Sequence, residues 1–195
     1  VESRPKTARN GYQERTYRRL IENHDLVSFQ VLVKETDLFI QAQKDLQTTA
    51  HAAVMNYRYQ LERYIHDHPD FFHSLVPLPF VEVAPAIVKE MIQASRIAGV
   101  GPMAAVAGAM AEFVGRDLLN QSAEVIVENG GDIFIQTPRE LKIGIFAGPS
   151  PLSLRIGLRV SRAEKGLGVC TSSGTVGPSL SFGRADAVCV LAPSA

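Results

Sequence analysis

From residue 124 onward the chain breaks into short runs of strand length: Glu124–Glu128 (EVIVE), Asp132–Gln136 (DIFIQ), Leu141–Phe146 (LKIGIF) and Leu154–Val160 (LRIGLRV). Turn residues separate them. Apolar or alternating runs of this kind are the pattern of strands, because successive side chains along a strand point to opposite faces of a sheet. Asn129-Gly130 lies between the first two, and that dipeptide accepts the positive φ angles of a tight hairpin turn. Strands joined by so few residues run antiparallel. Helical periodicity lies mainly before this region, so the order predicts an α+β fold, a mostly antiparallel sheet packed against helices, rather than a doubly wound parallel sheet.

Val1–Leu20 is rich in charge and shows no period, and it reads as a poorly ordered tail. Phe29–Val33 and Leu38–Ala42 are rich in β-formers and flank KETD, which predicts an N-terminal β-hairpin with its charged tip in solvent. From Lys44 to about His66 the residues Leu46, Ala50, Ala53, Val54, Tyr57, Leu61, Tyr64 and Ile65 recur at helical spacing. A long amphipathic helix is expected there, ending near His68 because Pro69 disfavours helical geometry in the residue before it. His66, His68 and His73 cluster at that end. They read either as a metal cluster or as cations favoured by the helix dipole, and no cysteine or paired carboxylate stands at ligand spacing beside them. Two further helices are predicted, Pro85 to about Ala98 and Pro102 to about Leu119, each with proline in its first turn. The second opens GPMAAVAGAMAEF, whose small residues would admit a neighbouring backbone or a flat ligand. Asp186–Leu191 (DAVCVL) reads as a buried strand with nothing after it to cover it. Further C-terminal residues, or a homodimer, are therefore expected to complete the fold.

At 195 residues the chain suits one domain, 1–195. Twenty basic and twenty acidic side chains cancel, so no overall field draws it to nucleic acid or to an anionic membrane. The longest apolar candidate, Val100–Val114, is interrupted by glycine and proline and is too short to span a bilayer. Two cysteines, Cys170 and Cys189, are too few for a disulfide framework and fit a reducing compartment, the cytoplasm.

The chemistry concentrates in two places. Gly166–Asp186 (GLGVCTSSGTVGPSLSFGRAD) holds five glycines and six hydroxyl side chains. Read as a loop, it would bring backbone N–H groups and short hydroxyls close to a phosphate, or simply be a polar surface loop. Glu128–Asp132 (ENGGD) sets two glycines beside an amide and two carboxylates. A plain hairpin needs only Asn129-Gly130, so Gly131 and Asp132 are surplus to a turn and could present a polar site. Cys170 could act as a nucleophile if a base or positive dipole lowered its pKa, or be a small packed residue. Arg184 could pair with phosphate and Asp186 with a divalent metal, or the two could pair with each other. No Walker A, GxGxxG, HExxH or paired CxxC motif occurs.

In order, the glycine-rich helix start Gly101–Ala111, then NGGDIFI (Asn129–Ile135), then CTSSGTVGPSLSFGRADA (Cys170–Ala187), resemble the ApbE-like superfamily, and more closely an uncharacterised bacterial and archaeal branch of it. The likeness runs from the VKETDLFIQA hairpin to the end of the chain. Active members are FAD:protein FMN transferases, which bind FAD and Mg²⁺ and move FMN onto a threonine hydroxyl of an acceptor protein. The resemblance implies a flavin or nucleotide-like ligand at Asn129, Gly130, Gly131, Asp132, Thr171, Ser172, Ser173, Gly174, Thr175 and Arg184, with Cys170 and Asp186 as candidate catalytic residues. This chain departs from the pattern in three ways. Ala104–Ala111 (AAVAGAMA) lacks the acid and lysine of active transferases, Ser181–Asp186 replaces their His-Ile-x-Asp-Pro, and their metal-binding Asp and Thr would fall after Ala195. The alternatives are therefore a non-catalytic nucleotide-binding or scaffold protein, or a thiol enzyme of sulfur metabolism acting through Cys170.

Overall fold

The computed structural model describes Arg15, Arg18 and residues 25–195 apart from Pro178. The expected poorly ordered tail, 1–20, lies outside the described residues except at the two arginines. Among the described residues the fold is α+β, with strands β1 (Val27–Val33) and β2 (Thr36–Ala42), then helices α1 (Gln47–Asp67), α2 (Pro69–His73), α3 (Ala86–Ala98) and α4 (Val106–Leu118). Six strands follow: β3 (Val125–Asn129), β4 (Asp132–Thr137), β5 (Leu141–Gly144), β6 (Gly157–Val160), β7 (Ala163–Ser172) and β8 (Val188–Ala192). The main sheet has the order β1-β2-β3-β4-β7-β8, and β5-β6 form a separate hairpin. Every recorded strand pair is antiparallel.

Local chemistry sets the helix limits. Asp45 Oδ1, one residue before the N-cap Leu46, accepts the Gln47 N–H at 2.8 Å as α1 begins. At the other end His68 leaves helical geometry (φ −136, ψ 74) before Pro69. Gly99, left-handed at φ 71, terminates α3 with its N–H on the Ser95 carbonyl. No single described helix is long and apolar enough to cross a membrane; α3 and Pro102–Leu118 reach the length and composition together but bend by 108° at the break between them.

Both faces of the sheet are covered. On one, Val31, Leu38, Ile40, Ala42, Val125, Val127 and Phe134 pack with the buried stripes of α1, α3 and α4. On the other, a smaller core joins Ile135, Val160, Ala163 and Val169 to the β5-β6 hairpin. The small residues of α4 serve close packing. A methyl group on Gly115 would lie 2.3 Å from the Phe134 ring, and one on Gly108 would lie 2.4 Å from the carbonyl carbon of Ala195.

Four expectations are corrected. The first hairpin turns at Lys34-Glu35 alone, so Thr36 and Asp37 belong to β2 and are buried, Asp37 to 2% exposure. Arginines lie against Asp37, which is why a charge can stay there. Strand β6 is limited to Gly157–Val160, because Leu154 takes φ 57 in the preceding turn. Gly166–Ser172 is not loop: it lies in β7, between β4 and β8, and small residues suit this crowded strand, since a methyl group on Gly168 would lie 2.1 Å from the Ser194 carbonyl oxygen. Finally, β8 is an edge strand, with Val188, Val190 and Leu191 each about half exposed, rather than a buried one.

Candidate functional site

The β3-β4 turn and the C-terminal half of β7 meet at one end of the sheet. Asn129 pairs with Asp132, which leaves Gly130 (φ 67) and Gly131 (φ 107) as the two turn residues. Both have positive φ, which glycine adopts without strain, and Gly131 lies where glycine is required. The second glycine is thus required by the hairpin and is not surplus to it. On the next strand Asp132 stands opposite Cys170, and the Thr171 N–H donates to the Gly131 carbonyl at 3.1 Å. Segments forty residues apart in sequence thereby become neighbours.

Strand alternation divides the motif residues between the two faces. Asn129, Asp132 and Cys170 face the start of α4. The Asn129 Nδ2 donates to the Ala107 carbonyl at 3.0 Å, and the Cys170 thiol and the backbone N–H groups of Thr171 and Gly108 lie near enough to the Asp132 carboxylate to favour its charged form. Burial, joined by the charge of Glu128, outweighs them and raises the Asp132 pKa to about 6. Burial likewise pushes the Cys170 thiol up to about 12, with the Asp132 charge adding to the effect. Cys170 is therefore a protonated donor at neutral pH, the reverse of an activated thiolate. Thr171 faces the other side of the sheet, where its Oγ1 lies 3.3 Å from Cys189 Sγ.

Residues 173–187 form a loop closed on itself. The Ser173 hydroxyl accepts the N–H groups of Thr175 and Val176 at 3.0 and 2.8 Å. The Gly174 N–H donates to the Ala185 carbonyl at 2.9 Å, and the Thr175 hydroxyl donates to Asp186 at 3.0 Å. Asp186 thus ties the base of the loop to Thr175, and among the described residues it forms no ion pair with Arg184, the structural alternative read from the sequence. Ser172 and Arg184 are exposed, and so is Phe182 at 86%.

Sequence reasoning missed the cluster on the opposite face of the turn. Arg18 places Nε 2.6 Å from Glu128 Oε2 and Nη1 2.8 Å from Asp37 Oδ1, and Arg15 Nη1 donates to the Asp37 carbonyl at 2.6 Å. No motif marks these arginines within a run of scattered charge. The burial of Asp37 on β2, which demands a cation, became visible only with the strand register.

The three histidines do not converge on a site. His68 stacks on Tyr64 at 4.2 Å between ring centroids and meets the Tyr64 carbonyl, and His66 meets Asp67. Among the described residues no group of three or more His, Cys, Asp or Glu side chains could hold a metal ion.

A family model described as "AbpE bacteria" matches residues 18–195, which takes in both segments of this site and Arg18. The chain belongs to that family. It is also similar to archaeal UPF0280 proteins. It is 41% identical over 174 residues to one from Methanococcus aeolicus, covering 87% of this chain and 70% of the relative. It is 42% identical over 167 residues to the UPF0280 protein MJ1526 of Methanocaldococcus jannaschii, covering 84% and 68%. With the UPF0280 protein MK0206 of Methanopyrus kandleri it shares 43% identity over 172 residues, covering 87% and 69%.

Proposed function

We propose that the sheet end formed by Asn129–Asp132, Thr171–Gly174 and the 173–187 loop binds a flavin or a related nucleotide, with transfer of FMN from FAD to a protein hydroxyl as its reaction class. The observation that carries the reading is the β4-β7 register, Asp132 opposite Cys170, which makes neighbours of the two segments that resemble the superfamily's nucleotide site. Ser172 and Arg184 are exposed beside it and can meet a phosphate. In such a transfer the acceptor oxygen bonds to the FMN phosphorus, the diphosphate P–O bond to AMP breaks, and the hydroxyl proton passes to a base. Asp132, with its pKa near 6, is the group assigned that proton. The donors for Mg²⁺ are not gathered among the described residues, and no step is assigned to a metal.

A second reading, a nucleotide-binding protein without transfer, is favoured by Ala104–Ala111, where the acid and lysine of active transferases are missing. The thiol-enzyme reading is disfavoured by the raised pKa of Cys170.

Titration with FAD, with and without Mg²⁺, followed by flavin fluorescence and AMP release, separates these readings. Saturable quenching with AMP release that rises as pH passes through about 6 supports cleavage of the diphosphate by a transferase or a pyrophosphatase, and FMN bound covalently to an added acceptor protein distinguishes transfer from hydrolysis. Quenching without release supports a carrier, and no quenching refutes the flavin reading.

A further inference from the structure

Glu128 spans two parts of the molecule. Its Oε1 accepts the Gly131 N–H at 3.1 Å, inside the turn, while its Oε2 takes the Arg18 Nε at 2.6 Å from the N-terminal segment. Arg18 is 8% exposed on its side chain, contacts Asp37 through a second nitrogen and lies 5.7 Å from the centre of the Phe39 ring. Gln30 Nε2 also donates to Asp37 Oδ1, at 2.6 Å. Arg15 adds a second guanidinium over the same turn: a methyl group on Gly130 would lie 3.1 Å from its Nη2. Burial opposes the charge on Arg18, yet the attraction and hydrogen bonds of Glu128 and Asp37 outweigh it and raise its pKa.

We propose that Arg18 is a positioning residue for the candidate site, holding the Glu128 carboxylate against the Gly131 N–H so that the N-terminal segment fixes the Gly130-Gly131 turn. The physical case is the geometry of the relay. A carboxylate side chain left to itself samples several rotamers, whereas one held by a buried guanidinium keeps the orientation that its second oxygen needs to accept a backbone N–H. Without Arg18, Glu128 gains freedom to turn toward solvent, because the Arg15 contact at 3.9 Å from Oε1 is longer and grips it less firmly. The turn then keeps its glycines but loses the bond that orients the Gly130–Gly131 peptide, the unit just before the Gly131 carbonyl that accepts the Thr171 N–H. The effect on ligand affinity rests on the function proposed above; the effect on the turn does not.

Amide exchange tests the relay without any ligand. In Arg18→Ala, exchange at Gly131 is expected to rise about tenfold, the consequence of losing a charge-assisted hydrogen bond, while the amides of β5 stay as in the wild type. Arg18→Lys, which keeps the charge without the fork, gives a smaller rise and serves if the alanine variant fails to fold. Glu128→Gln keeps an oxygen for Gly131 but loses the ionic grip, so adding Arg18→Ala to it produces no further increase. Unchanged Gly131 exchange in the Arg18 variants, equal acceleration in β5, or additive effects in the double variant would each overturn the proposal. In parallel, the FAD dissociation constant is expected to rise about tenfold in Arg18→Ala. A wild-type protein that does not bind FAD refutes the function reading and leaves the exchange data to decide this one.

Discussion

Asp132 is the residue on which burial and charge act most clearly. Its folded pKa of about 6 lies above the ordinary aspartate value near 4. Between those two values the native state binds more protons than the unfolded chain, so this group lowers stability as pH rises from about 4 to about 6, and the loss is complete above that range. Asp132→Asn removes the charge and keeps an oxygen for the backbone donors. In urea unfolding the variant is expected to gain about 1 kcal/mol over wild type at neutral pH, a figure reduced for partial solvent contact, with the gain vanishing toward pH 4. A gain of equal size at both pH values contradicts the account. The carboxylate was visible in the sequence as a candidate; its partners were not. Cys170, Gly108 and Thr171 reach it only through strand register and the approach of α4.

At the scale of elements, the hairpin signal was legible and its detail was not. Asn129-Gly130 marks a turn, but the register places the turn at Gly130-Gly131, one residue on. Gly131, at φ 107, lies beyond the left-handed region that Asn tolerates, whereas Gly130, at φ 67, lies within it. Gly131→Ala is therefore expected to cost about 1–3 kcal/mol in urea unfolding, and Gly130→Asn clearly less. Equal costs would show that the turn does not have this geometry. The helices were readable from spacing and prolines because both act within a few residues. The glycine-rich stretch misled because composition does not distinguish a loop from a crowded strand: Gly168 is small because the Ser194 carbonyl passes over it, a contact between residues far apart in the chain.

For the whole molecule, the α+β class followed from element order, and the sheet does carry helices on one face and the β5-β6 hairpin on the other. The ion-pair cluster that joins the N-terminal segment to β2 and β3 could not be read in advance, because each partner is an ordinary charged residue until the strands are paired. The central claim is one of location: the ligand site we propose lies where the β3-β4 turn, the end of β7 and the 173–187 loop converge. Amide chemical-shift mapping during titration with FAD tests it most directly. Perturbations concentrated at residues 129–132, 171–175 and 183–187 are the predicted result, and perturbations confined to another surface, or none at saturating FAD, would contradict it.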